Sequence, residues 1–176
     1  MTDHGANLTD RITEDWLRER PDLDLSALAI VGRLSFVAEN VISPVGERAV
    51  ERHGIGKGDF DVLATLRRTG APYTLSPSAL SAALMMSRAG MTKRLDRLDK
   101  AGLVERTLDT ADRRSFRIAL TGEGRRVVDA ALTDLAATLT RLTAGLTAEE
   151  LDGLERGLNA LSRAAGRTTH PPAAGA

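Results

Sequence analysis

The chain has 176 residues, of which 42% are hydrophobic and only 3% aromatic, and its formal net charge is +0. This length predicts one compact domain whose core consists of Leu, Ala, Val and Ile. The absence of cysteine excludes disulfides, thiol redox sensing and thiolate metal sites, and it is consistent with a cytoplasmic protein. We find no signal peptide, and charges or glycine interrupt the apolar stretches before the ~20 residues that a membrane span needs.

The charges are unevenly distributed along the chain. Between residues 87 and 126, eleven Lys and Arg residues stand against six Asp and Glu residues, so this segment is +5 and the remainder is −5. A basic segment on a neutral protein suits contact with an anionic polymer. On charge alone, a solvated helix face with paired charges is an equally good explanation.

The N-terminal part of the chain predicts helices. Residues 1–7 are polar and expected to be disordered, and a helix is predicted at 8–20, capped by Thr9 and stopped by Pro21. Trp16 lies on its apolar face and is, taken alone, more often a packing anchor than a ligand contact. A second helical run covers 25–53, and Pro44 should kink or interrupt it because proline removes a backbone donor.

The next segment combines a glycine-rich connector with another helix. GIGKGD (residues 54–59) lacks the strand and spacing of a phosphate-binding loop. FDVLATLRR (residues 60–68) has helical periodicity. Asp61 either caps the start of this helix or lines a pocket, and the residues alone favour the cap.

Residues 76–102 have the pattern of two helices joined by a tight turn. Ser76 and Ser87 are suitable N-caps, Pro77 suits a first helical position, and Gly102 suits the position after a helix. The apolar side of the second helix consists of Met91, Leu95 and Leu98, at helical spacing.

The opposite side of that second helix is polar and basic. If the helix enters a DNA major groove, its N-terminal residues face base edges, which makes Ser87, Arg88 and Thr92 candidate base-reading residues. Lys93 and Arg97 should then lie nearer to phosphates.

Two alternating segments, LVERTL and SFRIAL, enclose the charged loop DTADRR and predict a β-hairpin. Arg113 and Arg114 at its tip could enter a minor groove. The alternative is a solvated hairpin tip, which would leave Asp112 and Arg114 without a structural pairing. The fold class expected is therefore mainly α with a small β-hairpin wing, a winged helix-turn-helix spanning about 57–120.

The C-terminal part predicts two further helices over 121–165. Thr147 and Glu150 have the spacing of a capping box at the start of the last helix. Leucines at steps of three and four residues continue outside the winged unit, so we expect the helices at 25–53 and 121–165 to form a dimer interface. Residues 166–176 are expected to be a disordered tail.

Catalytic chemistry has little support in the sequence. His4, His53 and His170 are scattered, and no metal-ligand spacing, nucleophile elbow, Walker loop or dinucleotide fingerprint is present. We therefore expect no enzyme activity, no catalytic residues, no metal and no cofactor.

The chain resembles the MarR family of winged-helix transcriptional regulators. The resemblance is most specific in the segment MTKRLDRLDKAGLVERTLDTADRRSFRIALTGEGR, which contains the DRR wing motif. The resemblance covers about residues 25–165 and implies one MarR-type domain, with the added N-terminal helix, over 8–165. It also implies a homodimer that binds double-stranded DNA at a pseudo-palindromic operator, with Asp112 and Arg114 bracing the wing.

The extra N-terminal helix resembles the urate-responsive, PecS/HucR-like branch of this family. The ligand signature of that branch matches Trp16, Asp61, Arg94 and Arg106. The resemblance implies that Arg106 pairs with a small aromatic anion such as urate and that Trp16 packs on it. The anion would displace Asp61 by charge repulsion, and Arg94 would carry the displacement to the recognition helix.

The function expected is a sequence-specific repressor released from its operator by such an anion. One alternative keeps the DNA-binding function and replaces urate by a phenolic or other aromatic effector. A second alternative is a less specific architectural or protein-interaction module. The cysteine-free sequence disfavours the peroxide-sensing branch of the family.

Overall fold

The structure, a computed structural model, describes residues 4–108 and 116–168. Its helices and strands follow one another in this order: α1 His4–Glu19, α2 Ser26–Val37, α3 Ser43–Glu51, α4 Lys57–Arg68, β1 Thr74–Leu75, α5 Pro77–Ala83, α6 Arg88–Lys100, β2 Val104–Leu108, β3 Phe116–Leu120, α7 Gly122–Thr143 and α8 Ala148–Thr168. A π-helical segment, Ala38–Ile42, joins α2 to α3. The expected mainly helical fold with a small sheet is confirmed.

The chain divides into two compact units, residues 1–139 and 140–176. The core of the first unit is an aliphatic cluster from α3 to α7, as the low aromatic content predicts. Its largest fully buried side chains are Leu63, Leu66, Leu80, Met91, Leu98, Ile118, Val62, Val104 and Val128. Helices α4, α5 and α6 are therefore held together around the sheet by apolar burial.

The sheet is antiparallel and has the strand order β1–β3–β2. Strands β2 and β3 form the expected hairpin, with Val104 opposite Leu120 and Leu108 opposite Phe116. Strand β1 pairs Thr74 with Ala119 and has no signal in the sequence, because two residues are too few for visible alternation.

The helix boundaries of the DNA-facing element follow the predicted caps. The Ser76 hydroxyl accepts a hydrogen bond from the Ala79 amide at 3.2 Å, and the Ser87 hydroxyl accepts one from the Gly90 amide at 3.2 Å. Gly102 follows α6 with a φ of +69°, a conformation that glycine adopts without a side-chain clash. These local signals fix where α5 and α6 begin and where α6 ends.

The long run over 25–53 is irregular near Pro44, as expected. Its regular α-helix stops at Val37, and the π-helical turn Ala38–Ile42 precedes Pro44 in the first turn of α3. Proline cannot donate the backbone hydrogen bond that a continuous helix requires, so the hydrogen-bond pattern changes here.

Two boundary predictions at the N-terminal side are wrong. Helix α1 begins at His4 rather than at residue 8, so Thr9 lies inside the helix and does not cap it. The Thr13 hydroxyl donates to the Thr9 carbonyl at 2.9 Å, as in the middle of a helix. Helix α3 ends at Glu51, two residues before the predicted end.

The segment Ser26–Glu51 is long and apolar enough to cross a membrane by length and composition alone, and its most apolar window is not buried in the monomer. Gly32, Arg33 and Glu39 interrupt the apolar run of this segment, as expected from the sequence. Exposed residues in this part of the chain include Leu28, Ile30 and Val31.

The second unit consists of the end of α7 and helix α8. The predicted capping box is present: the Glu150 carboxylate accepts from the Thr147 amide at 2.7 Å, and the Thr147 hydroxyl accepts from the Glu150 amide at 3.2 Å. The bond from the Thr147 amide lowers the pKa of Glu150 below its ordinary value. Exposed leucines continue along α8, at positions Leu151, Leu154, Leu158 and Leu161.

Candidate DNA-binding and effector sites

The N-terminal half of α6 presents an exposed polar and basic face. Ser87, Arg88, Thr92 and Lys93 are all exposed, whereas Met91 and Leu95 are buried against the core. The Thr92 hydroxyl donates to the Arg88 carbonyl at 3.0 Å, which leaves its oxygen lone pairs available as acceptors. In the described part of the chain, no carboxylate pairs with Arg88 or Lys93, so their charges are available to an anionic partner.

A groove of about 410 Å³ lies beside this face. It runs between the start of α5, the start of α6 and the first residue of β3. Its lining is a mixture of polar and apolar residues: Ser76, Pro77, Ser78, Ser81, Arg88, Met91, Thr92 and Phe116. The groove therefore extends the exposed face of α6 towards the root of the hairpin.

Arg97 is held by a buried carboxylate. Its Nε donates to Asp59 Oδ2 at 2.8 Å and its Nη2 donates to Asp59 Oδ1 at 2.5 Å. Asp59 is only 8% exposed. The hydrogen bond to Asp59 raises the pKa of Arg97. The structure thus places Arg97, expected near phosphates, in an intramolecular ion pair with α4.

Arg94 lies close to the same carboxylate. Its Nε is 4.0 Å from Asp59 Oδ1. Its guanidinium covers the backbone of Gly58, where an added Cβ would lie 1.7 Å from Arg94 Nη1. Gly58 is therefore the residue that lets Arg94 approach the first turn of α4.

Arg106 is also paired, but with the recognition helix itself. On β2, its guanidinium bonds to Asp96, and its Nε lies 3.5 Å from Asp99 Oδ2. An anion that binds Arg106 must therefore compete with two carboxylates of α6. Arg113 and Arg114, together with Asp112, lie outside the described residues.

Asp61 lines a pocket rather than capping a helix. Helix α4 begins at Lys57 after Gly56, so Asp61 is its fifth residue and the cap prediction is wrong. The pocket has a volume of about 220 Å³ and mostly apolar walls: Ile42, Ser43, Gly46, Glu47, Val50, Lys57, Phe60, Asp61, Leu135 and Leu139. Because it touches α3, α4 and α7, its occupancy would bear on how these helices pack.

Of the four residues expected to bind the effector, only Asp61 lines this pocket. Among the described residues, those lining the Asp61 pocket do not include Trp16, Arg94 or Arg106. Trp16 lies on α1 and is 51% exposed. The part of the chain that the structure describes also contains no group of three His, Asp or Glu side chains that could hold a metal ion.

Sequence reasoning missed Asp59 and Gly58. The sequence pattern indicates a connector for the glycine-rich stretch, whose last residues instead form the first turn of α4. In this turn, Lys57, Phe60 and Asp61 line the pocket while Gly58 and Asp59 meet the arginines of α6. An acidic residue in the first turn of a helix is the one available signal, and it does not identify its partner.

Comparison with known proteins decides the family. A model described as MarR family matches residues 53–115. The HTH-type transcriptional regulator PecS of Dickeya dadantii (strain 3937) is 42% identical over 118 residues, which cover 67% of this chain and 70% of PecS. The chain belongs to the MarR family.

Two further comparisons are consistent with this assignment. The transcriptional repressor MdtR of Bacillus subtilis (strain 168) is 30% identical over 110 residues, 62% of this chain and 69% of MdtR. The crystal structure of a mutant MarR from E. coli complexed with operator DNA aligns with a TM-score of 0.65 and 25% identity, over 78% of this chain and 96% of that chain.

Membership of the MarR family gives the general function. The protein is a DNA-binding transcriptional regulator and not an enzyme, as the sequence predicted. Helices α5 and α6 with the β2–β3 hairpin form the winged helix-turn-helix of this family.

Proposed function

We propose that the protein is a sequence-specific repressor that binds a pseudo-palindromic operator as a homodimer and is released by a small aromatic anion such as urate. The observation that carries this proposal is the exposed basic face at the N-terminal half of α6, where Arg88 and Lys93 have no carboxylate partner among the described residues. Ser87, Arg88 and Thr92 read bases there, and Lys93 contacts a phosphate. Arg113 and Arg114 of the wing enter the minor groove.

A homodimer would cover the apolar surface that the monomer leaves exposed. On α2, Leu28 is 54% exposed and Ile30 is 65% exposed, and Leu154 on α8 is 49% exposed. Exposed apolar surface of this extent is typical of a protein interface. Dimerisation also accounts for the apolar character of Ser26–Glu51 in a cytoplasmic DNA-binding protein. The helices at 25–53 and 121–165 are the proposed interface.

The proposed effector site uses Trp16, Asp61, Arg94 and Arg106. Urate is a planar anion, so an indole ring can stack on it and a guanidinium can pair with it. Arg106 would exchange Asp96 and Asp99 for the anion, and Trp16 would cover it.

Release requires that the effector binds the DNA-free conformation more tightly than the DNA-bound one, since equal affinity shifts nothing. The first turn of α4 offers a route for this difference. Repulsion of Asp61 by the anion would move the first turn of α4, where Arg94 packs on Gly58. Movement of Arg94 would then displace α6 from the groove.

Titration of a protein–operator complex with urate, xanthine and salicylate tests the effector. We expect urate to release the operator DNA and xanthine, a related purine, to be weaker. Release by salicylate alone would support a phenolic effector at the same DNA-binding protein. No release by urate at millimolar concentration would contradict the urate proposal.

Replacing Trp16 by Ala should leave operator affinity unchanged and raise the urate concentration needed for half-release. The physical reason is the loss of a stacking surface, worth about 0.5–1.5 kcal/mol, or roughly a two- to twelvefold shift. Fluorescence anisotropy of labelled operator DNA measures both quantities. Leu17→Ala on the same helix, 46% exposed, is the matched control. An equal shift in both variants would return Trp16 to a packing role.

A further inference from the structure

We propose that Asp59 is a positioning residue that holds the recognition helix in its DNA-reading orientation through Arg97 and Arg94. The inference rests on the proposed DNA-reading role of α6. It assigns Arg97 to the scaffold of the recognition helix rather than to a phosphate contact.

The Asp59–Arg97 pair has the geometry of a specific anchor. Both carboxylate oxygens accept from the guanidinium, through Nε at 2.8 Å and Nη2 at 2.5 Å. A two-point contact between planar groups fixes orientation as well as distance. Since Asp59 belongs to α4 and Arg97 to α6, this contact fixes the rotation of α6 against its neighbour.

Burial makes the anchor difficult to replace. The Asp59 side chain is 11% exposed, whereas the Arg97 side chain is 60% exposed. A buried carboxylate without its cation is strongly unfavourable, so α6 is constrained to keep a guanidinium over Asp59. Arg94 adds a second cation, 4.0 Å from Asp59 Oδ1 and packed on the backbone of Gly58.

The same contact limits what Arg97 can offer to DNA. Its Nε and Nη2 already donate to Asp59, and the carboxylate offsets its charge. Arg88 and Lys93, which lie nearer the start of α6, have no such partner among the described residues. When α6 is held in this orientation, it presents Arg88 and Lys93 to DNA, while Arg97 remains paired with Asp59 of α4.

The test compares Asp59→Asn, Arg97→Gln and the double variant in the full-length protein. Asparagine keeps the shape of the side chain and removes its charge. Asp129→Asn is the matched control, because it breaks another Asp–Arg pair, to Arg67 Nε at 2.8 Å, that does not involve α6. Affinities for operator DNA and for random DNA of equal length are measured by anisotropy over a range of salt concentrations. Hydrogen exchange of α6 amides is measured without DNA.

We expect Asp59→Asn to lower operator affinity roughly tenfold and random-DNA affinity by less than about twofold, a size found for residues that couple structural elements. Amide exchange should become faster in α6 and remain unchanged in the control. Because Arg97→Gln removes a contact that Asp59→Asn already breaks, the double variant should lose no more than Asp59→Asn alone.

Three outcomes would overturn the assignment. If Arg97 is chiefly a phosphate contact, Asp59→Asn frees it, and the affinities for operator DNA and random DNA both rise. The slope of log affinity against log salt concentration then becomes steeper by about one. Losses that multiply in the double variant would show two independent roles. Unchanged exchange in α6 would exclude positioning whether or not DNA binds. If the wild-type protein shows no preference for operator DNA, the proposed function is contradicted. Faster amide exchange in α6 of Asp59→Asn would even then show that Asp59 holds the helix.

Discussion

Replacing Arg88 by Ala should weaken operator binding by about 1–3 kcal/mol, or roughly five- to 150-fold, and relax sequence preference at one operator position. Arg88 is the first residue of α6, is exposed, and lines the groove beside the helix. A guanidinium there can donate two hydrogen bonds to a guanine edge, which alanine cannot replace. Anisotropy with a set of operators that differ by single base pairs measures both the loss and the position.

Lys93→Ala is the matched comparison for Arg88→Ala. Lys93 is exposed on the same helix and has no carboxylate partner in the described ranges. Because Lys93 is proposed to contact a phosphate, its replacement should weaken binding to operator and random DNA alike. It should also lower the slope of log affinity against log salt concentration by about one. If Arg88→Ala behaves in the same way, with sequence preference intact, Arg88 is a phosphate contact and not a base reader.

Replacing Gly124 by Ala should lower the free energy of unfolding by about 3 kcal/mol, the upper end of the range for overpacking a core. An added Cβ would lie 2.0 Å from the backbone oxygen of Leu103, and backbone atoms cannot move aside as a side chain does. That oxygen also accepts from the Thr121 amide at 3.2 Å, so a shift would disturb the start of α7. Urea denaturation followed by circular dichroism, at one fixed protein concentration, measures the change.

Gly122→Ala is the control on the same helical turn. Nothing lies within 4 Å of a Cβ added at Gly122. Alanine is the better helix former, so this variant should be neutral or more stable by up to ~1 kcal/mol. Equal destabilisation of both variants would show that the loss comes from glycine flexibility rather than from the contact with Leu103.

Local chemistry made much of the DNA-facing element predictable from the sequence. The caps at Ser76 and Ser87 and the positive φ of Gly102 depend on a few neighbouring residues, and all three are confirmed. The buried side of α6 follows from helical spacing in the same way. Resemblance to the MarR family then extended these local elements to a whole fold, which the structural comparison confirms.

Contacts between distant residues were not predictable in the same way. Arg94, Arg97 and Arg106 all lie in one basic stretch, and nothing local shows which carboxylate each one meets. Asp59 binds Arg97 across 38 residues of sequence. Asp61, which the family resemblance assigns to the effector site, faces the pocket, whereas Asp59 faces the arginines, because nearby helical positions point in different directions.

The basic count of residues 87–126 consequently overstates the charge available to DNA. Arg97 and Arg106 are neutralised by carboxylates of α4 and α6. Arg88 and Lys93 are exposed cations in the N-terminal half of the recognition helix, and neither has a carboxylate partner among the described residues. The proposed DNA contact therefore relies on few residues and on the orientation of the helix that carries them.

Competition for labelled intergenic DNA from beside the protein's own gene tests the central claim most directly. Unlabelled copies of the same DNA and random DNA of equal length are added separately, at physiological salt, and bound DNA is measured by anisotropy. Sequence-specific binding through α6 predicts that the specific competitor acts at concentrations ~10³-fold or more below the random one. Equal competition by the two DNAs would contradict it and favour a non-specific architectural protein.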